Sequence, residues 1–134
     1  MVKLQTVKEN RKRECKGIWV DYEMGISFKI AKMGNPKFQA KIRQLTAPFL
    51  KEIREDKMPM ADMERIQREA IAETILLGWK GIEDDNGNVW KYSVKRSREM
   101  LADEDLVSIY EFVLAESGKQ ANYEVKVTED SVKN

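Results

Sequence analysis

Residues 78–93 constrain the fold more than any other segment, because they interrupt an otherwise helical pattern with two tryptophans around an acidic turn. Gly78 predicts the end of a helix. Short apolar stretches containing Trp79 and Trp90 flank an Asp-Asn-Gly sequence, which tolerates positive φ. Ser93 is placed to cap the next helix. The segment therefore predicts a short tryptophan-containing hairpin between helices.

A second hairpin is predicted near the N-terminus. Ile26, Phe28 and Ile30 share one face at a period of two, after a first alternating stretch and a glycine-containing turn. A lone hairpin is marginal in water, so its apolar face must pack on other elements. We therefore expect a mainly α (α+β) fold, in which this N-terminal β-hairpin lies on a compact bundle of four to five helices.

Local start and stop signals place those helices. Apolar residues recur at helical spacing, most clearly over residues 60–77, and a bend is expected near Ala47 because the next proline removes a backbone donor. The signals lie at Asn35-Pro36, Ala47-Pro48, Met58-Pro59, Gly78, Ser93, Asp103 and Gly118.

Length and charge predict one domain with uneven ends. The 134 residues suit a single core, and the 24 basic and 23 acidic side chains nearly cancel, so the whole-chain field should not attract nucleic acid. We expect a basic flexible leader over residues 1–16 and a single globular domain over 17–118. A polar tail is expected over 119–134, in which the alternation from Tyr123 to Val127 could form one edge strand.

The residue inventory argues against catalysis and metal binding. Cys15 is the single cysteine and the chain has no histidine, so neither a disulfide, a tetrahedral zinc site nor a Cys-His nucleophile can be built. Aligning Gly87 with the sixth position of a calcium loop puts Ile82 and Ser93 where carboxylates are needed, so a polar turn is expected instead. We expect no enzyme, no catalytic residue and no cofactor. No apolar run approaches the twenty or so residues of a membrane span, so neither membrane insertion nor secretion is expected.

The remaining functional material is apolar and aromatic. Three tryptophans and seven methionines exceed what a small core needs, and flexible thioethers suit surfaces that bind other proteins. The residues expected at a partner-binding face are Trp19, Phe28, Trp79, Trp90, Tyr92 and Phe112.

Three segments, taken in order, carry a resemblance to a known family. They are Gly17-Ile18-Trp19-Val20-Asp21-Tyr22 with Gly25-Ile26-Ser27-Phe28-Lys29-Ile30-Ala31 and Asn35-Pro36-Lys37-Phe38, then Ala72-Glu73-Thr74-Ile75-Leu76-Leu77-Gly78-Trp79-Lys80-Gly81-Ile82 leading to Tyr92-Ser93, and finally Tyr110-Glu111-Phe112-Val113 with Asn122-Tyr123. Together they resemble the tail assembly chaperones of long-tailed double-stranded DNA phages.

The resemblance implies a mostly helical protein without enzymatic activity. Such a protein binds the tape measure protein and helps recruit tail tube subunits in the cytoplasm of the infected bacterium, and it is absent from the mature virion. The resemblance supplies no catalytic residue. It leaves the oligomeric state undecided, with a homo-oligomer as one possibility.

Two other classes of function compete with this interpretation. A phage-encoded regulatory or inhibitor protein would bind nucleic acid or a host complex through the basic arm and the hairpin, and that binding would weaken steeply with salt. A structural tail or head component would be found in purified particles at a fixed copy number. Binding of an apolar client should change little with salt.

Overall fold

The computed structural model describes residues 1–125 and has the expected α+β architecture. Within those residues it is mostly helical, with one small antiparallel sheet and short 3-10 turns at Ala47–Phe49, Glu104–Leu106 and Gln120–Tyr123. The helices are α1 (Leu4–Lys16), α2 (Pro36–Thr46), α3 (Leu50–Arg54), α4 (Met60–Thr74), α5 (Val94–Ala102) and α6 (Val107–Ser117), and the strands are β1 (Ile18–Asp21), β2 (Ser27–Ile30) and β3 (Leu76–Lys80).

The sheet has the order β1-β2-β3, with both pairings antiparallel. Phe28 lies opposite Trp79 in the register, and both point toward the helices. Phe28 and Ile30 are fully buried in a core that α4, α5 and α6 complete. The predicted N-terminal hairpin and its packing on helices are therefore confirmed.

Capping explains where the predicted helices begin. The side-chain oxygen of Asn35 accepts hydrogen bonds from the backbone N–H groups of Lys37 and Phe38 at 2.9 and 3.0 Å, and Pro36 occupies the first turn. Ser93 accepts from the N–H of Arg96 at 3.0 Å in the same way. The expected bend is a 3-10 turn over Ala47–Phe49 between α2 and α3.

The helix end predicted at Gly78 is wrong. Helix α4 ends at Thr74, and Gly78 lies inside β3, which pairs with β2. The exposed edge of β2 supplies backbone partners for this stretch, and such tertiary pairing overrides local helical periodicity. The predicted tryptophan hairpin forms only in part, because its two arms are joined by a single antiparallel bridge, between Glu83 and Val89.

The basic leader expected over residues 1–16 is not irregular, because most of it forms α1. The Nε of Arg13 donates to the carbonyl oxygen of Tyr123 at 3.2 Å. The backbone N–H of Lys32 donates to the carbonyl oxygen of Glu14 at 2.9 Å. Polar contacts rather than an apolar stripe hold the helix, which is why hydrophobic periodicity did not reveal it.

The start of the expected polar tail also belongs to the fold. Tyr123 lies in a 3-10 turn instead of an edge strand and is fully buried, with its hydroxyl donating to the carbonyl oxygen of Ile30 at 3.2 Å. Burial raises the pKa of the Tyr123 hydroxyl, with smaller contributions from the negative charges of Glu116 and Glu14. Val127, the other end of the predicted alternation, lies outside the described residues.

Gly81 is expected to be the glycine that tolerates substitution least. It has φ of 82°, and a Cβ there would overlap the carbonyl oxygen of Gly25, whereas Gly87 has φ of 80° and open space around it. Gly87→Ala should cost about 1–2 kcal/mol from backbone strain alone. Gly81→Ala should cost about 1–3 kcal/mol more, because backbone atoms must also move. Urea unfolding of both variants measures the difference, and equal midpoints would show that the contact relaxes freely.

Tyr123 should make the protein sensitive to alkaline pH. The folded chain keeps the hydroxyl neutral, so the stabilisation is complete below the unfolded pKa of about 10 and is lost as the pH rises toward the raised folded pKa. Tyr123→Phe should cost about 1 kcal/mol near pH 7 through the lost hydrogen bond. Its unfolding free energy should also fall less than that of the unmodified chain between about pH 9 and pH 11. Parallel losses in both proteins would contradict this assignment.

Candidate functional site

A groove of about 650 Å³ opens between the turn that joins β1 to β2, the loop after β3 and the junction of α5 with α6. Its floor is apolar, since Met100 and Ile109 lie there and are only 4% and 8% exposed. The half-buried walls are Ile26, Ile82, Trp90 and Leu106. The groove therefore offers hydrophobic surface that residues 1–125 leave accessible to solvent.

Carboxylates surround this apolar floor. Five exposed acidic side chains line the groove, and no lining residue among those described is lysine or arginine. Met24 stands beside them in the β1–β2 turn, 83% exposed. We call these acidic residues the rim, and they are Glu23, Glu83, Asp84, Asp85 and Asp103.

Turn chemistry positions two of the rim carboxylates. The Oδ1 of Asp84 accepts from the N–H groups of Asn86 and Asn88 at 2.9 and 3.0 Å, which confirms the predicted polar turn. The Oδ1 of Asp103 accepts from the N–H of Asp105 at 2.9 Å, where it caps the turn before α6. Both acids thus have a local structural role and still contribute negative charge to the groove.

An aromatic cluster supports the groove wall from behind. The rings of Trp79 and Trp90 stack with centroids 4.9 Å apart, and the indole N–H of Trp79 donates to the carbonyl oxygen of Trp90 at 2.7 Å. Tyr92 packs edge-on against Trp79, and its hydroxyl donates to the carbonyl oxygen of Leu76 at 2.7 Å. Burial raises the pKa of Tyr92, so the hydroxyl stays a donor at neutral pH.

The six residues expected at the partner-binding face separate into different places. Phe28 is fully buried and Trp79 is 7% exposed, so both are core residues and the expectation that they contact a partner is wrong for this conformation. Trp90 lines the groove, and Tyr92 supports it. Phe112 is half-buried and packs on Phe28, with ring centroids 6.2 Å apart.

Trp19, the sixth residue, lies on the opposite face of the sheet. It is 45% exposed, and the ammonium of Lys80 sits 4.0 Å from its ring centroid. Gly78 lies beneath it, where a Cβ would be 3.5 Å from the indole. The structure therefore brings Trp79, Trp90 and Tyr92 together and keeps Trp19 apart from them.

The groove itself was missed by sequence reasoning. Its walls come from three segments far apart in the chain, so no local pattern brings together Ile26, Ile82 and Leu106. The one visible signal was the cluster of acids after Ile82, which was interpreted only as a turn.

Among residues 1–125, no three histidine, cysteine, aspartate or glutamate side chains converge in a way that could hold a metal ion. No helix in that part of the chain has both the length and the apolar character needed to cross a bilayer.

Comparison with known proteins identifies a phage-derived class. A family model described as "YdaY prophage protein" matches residues 33–134, which is more than half of the chain. The protein therefore belongs to the YdaY prophage protein family. No curated protein and no solved structure matches significantly. The matched range includes β3, the loop after it and the α5–α6 junction, whereas the turn with Glu23 and Met24 precedes it.

Because Trp79 is buried and Trp19 is exposed, replacing them should lower the free energy of unfolding by different amounts. Trp79→Ala removes a buried ring, its stacking contact with Trp90 and a hydrogen bond, and should cost about 3–5 kcal/mol. Trp19→Ala should cost less than about 1 kcal/mol, since it removes an exposed ring and one cation–π contact. Chemical unfolding followed by circular dichroism compares the two, and a larger loss for Trp19 would contradict the assignment.

Proposed function

We propose that the protein is a phage tail assembly chaperone that binds the tape measure protein through the groove and helps recruit tail tube subunits, without catalysis. It would act in the cytoplasm of the bacterial host. Membership of a prophage protein family supports the phage setting. The order of the three segments described above supports the chaperone class. The observation that carries the proposal is the open apolar groove of about 650 Å³.

The shape of the groove suits a helical client. Helix-in-groove recognition places the apolar face of an amphipathic helix against a hydrophobic concavity, with anchors spaced three and four residues apart. The volume lies within the range of about 300–1,000 Å³ that binding pockets commonly have, so several anchor side chains can enter it. A tape measure protein is expected to expose long apolar helices before the tube forms around it.

The limited size of the site also suits reversible capture. A client bound in a groove formed by one turn, one loop and one helix junction would bury less area than a permanent interface does. Small interfaces are typical of transient complexes. An assembly chaperone must release its client when tail tube subunits arrive, so moderate affinity is an advantage here.

A different surface favours the competing function. On the outer face of the sheet, Trp19 is exposed beside Lys80, and Lys29 lies next to it in the strand register. Such a face could stack a base and contact phosphates. Two arginines of the basic arm are already engaged within the chain, since Arg11 pairs with Glu14 and Arg13 binds backbone carbonyls. We therefore place nucleic-acid or host-complex binding second.

Coexpression tests the chaperone proposal. The chain should increase the soluble fraction of tape measure protein fragments and copurify with them. Leu106→Asp introduces a charge into the groove wall and should lower copurified client about tenfold, which corresponds to about 1.4 kcal/mol of binding free energy. Val107→Asp is the matched control, because the neighbouring side chain is 52% exposed and does not line the groove.

Thermal unfolding must first show that both variants fold. Unchanged client solubility with fragments that cover the whole tape measure protein would refute the chaperone proposal. A complex with nucleic acid that weakens steeply with salt and is lost in Trp19→Ala would favour the second candidate instead.

A further inference from the structure

We infer that the groove selects one kind of client segment, an amphipathic helix whose apolar stripe is flanked by lysine and arginine. This inference rests on the proposed function and names the chemistry of the client. This preference follows from the charge of the rim. The apolar floor alone would accept any helix with a hydrophobic face of suitable shape.

The rim carboxylates have no ionic partner within the described chain, and they differ from other unpaired acids, such as Glu99 and Glu111, in lying together around an apolar groove. Over residues 1–125, ion pairs engage acids elsewhere, such as Glu14 and Glu73, and none involves a rim residue. The chain as a whole carries almost equal numbers of basic and acidic residues. Negative charge is thus concentrated among the lining residues, and a neighbouring cation, the guanidinium of Arg96, lies 5.5 Å from the ring centroid of Trp90 without lining the groove itself.

Three separate segments contribute to this charge. Glu23 comes from the β1–β2 turn, Glu83 and Asp85 from the loop after β3, and Asp103 from the α5–α6 junction. Carboxylates gathered around an apolar surface repel one another unless a cation lies between them. A cationic partner would therefore meet negative charge from three sides of the groove.

A helix with basic flanks meets both requirements of the groove. Its apolar stripe covers the floor, while lysine and arginine lay their aliphatic stems on the half-buried walls and direct their charges to the rim. An acidic helix with the same stripe would bring like charges together, which disfavours its binding. The rim thus provides specificity, and the floor provides affinity.

Peptide binding tests the charge preference directly. Two labelled helical peptides share leucines at positions i, i+3, i+4 and i+7, and their flanking residues are Lys and Arg in one and Glu in the other. Fluorescence anisotropy with the full-length protein should show at least about tenfold tighter binding of the basic peptide at about 0.05 M salt. The ratio should shrink at about 0.5 M salt, where screening is stronger.

Rim variants then assign the preference to named residues. The double variant Glu83→Gln with Asp85→Gln should lower affinity for the basic peptide without disturbing the turn that Asp84 holds. The matched control, Glu99→Gln with Glu111→Gln, neutralises two exposed acids outside the groove and should leave affinity unchanged. Leu106→Asp should abolish binding of both peptides.

The outcomes separate this inference from the proposed function. Equal binding of both peptides, lost in Leu106→Asp, would overturn the charge preference and leave the chaperone proposal standing. Client solubilisation without any peptide binding would exclude the groove as the site. Self-association lost both in the rim variant and in Leu4→Asp with Val7→Asp would overturn the inference in favour of a second copy, because α1 exposes those two apolar residues.

Discussion

The position of β2 between two other strands is the constraint on which the rest of the structure depends. Its inward side chains, Phe28 and Ile30, are fully buried, and its backbone pairs with β1 on one side and β3 on the other. The buried hydroxyl of Tyr123 bonds to the carbonyl oxygen of Ile30, so the end of the described chain is also fixed to this strand. Helix α1 is in turn held by the 3-10 turn that contains Tyr123. A change that loosens β2 would therefore affect both termini of the described region as well as the core.

The aromatic residues divide into those that build the molecule and those that remain accessible. Trp79 sits in the core and fixes the loop after β3 through its stack with Trp90 and the hydrogen bond to its carbonyl oxygen. Trp90 lines the groove while its ring stacks on buried Trp79 and has the guanidinium of Arg96 5.5 Å from its centroid, so the ring is held between neighbours. An exposed aromatic that is held in this way loses little conformational entropy on binding, which makes it a better anchor than a free side chain. In the proposed recognition of a client, the buried tryptophan would thus act indirectly, by holding the accessible one in place.

Local signals predicted most of the helices and the first hairpin, because caps and period-two alternation are properties of neighbouring residues. Asn35, Ser93 and Asp103 each bond to backbone N–H groups within three residues, so each could be identified without tertiary information. The sequence predicted a short strand at Trp79 but not that this strand begins at Leu76 and pairs with β2, since that pairing depends on the free edge of β2. Nor did it reveal the anchoring of α1, which relies on hydrogen bonds between residues more than a hundred positions apart. The groove was missed for the same reason, because its three walls meet only after the sheet has formed.

The near-neutral composition conceals the property that matters most for binding. Nearly equal numbers of acids and bases suggest a weak field, yet the structure places five acids and no lysine or arginine among the described residues that line the groove. One wall of that groove comes from the β1–β2 turn, which Gly81 allows to approach closely at Gly25. The turn precedes the range matched by the family model, so the groove is not a property of the matched residues alone. The affinity of the proposed client site should therefore be coupled to the pairing of β2 with β3: any change that separates these strands moves Glu23 and Ile26 away from the remaining walls, and it also disturbs the core, because Phe28 and Ile30 of β2 are fully buried.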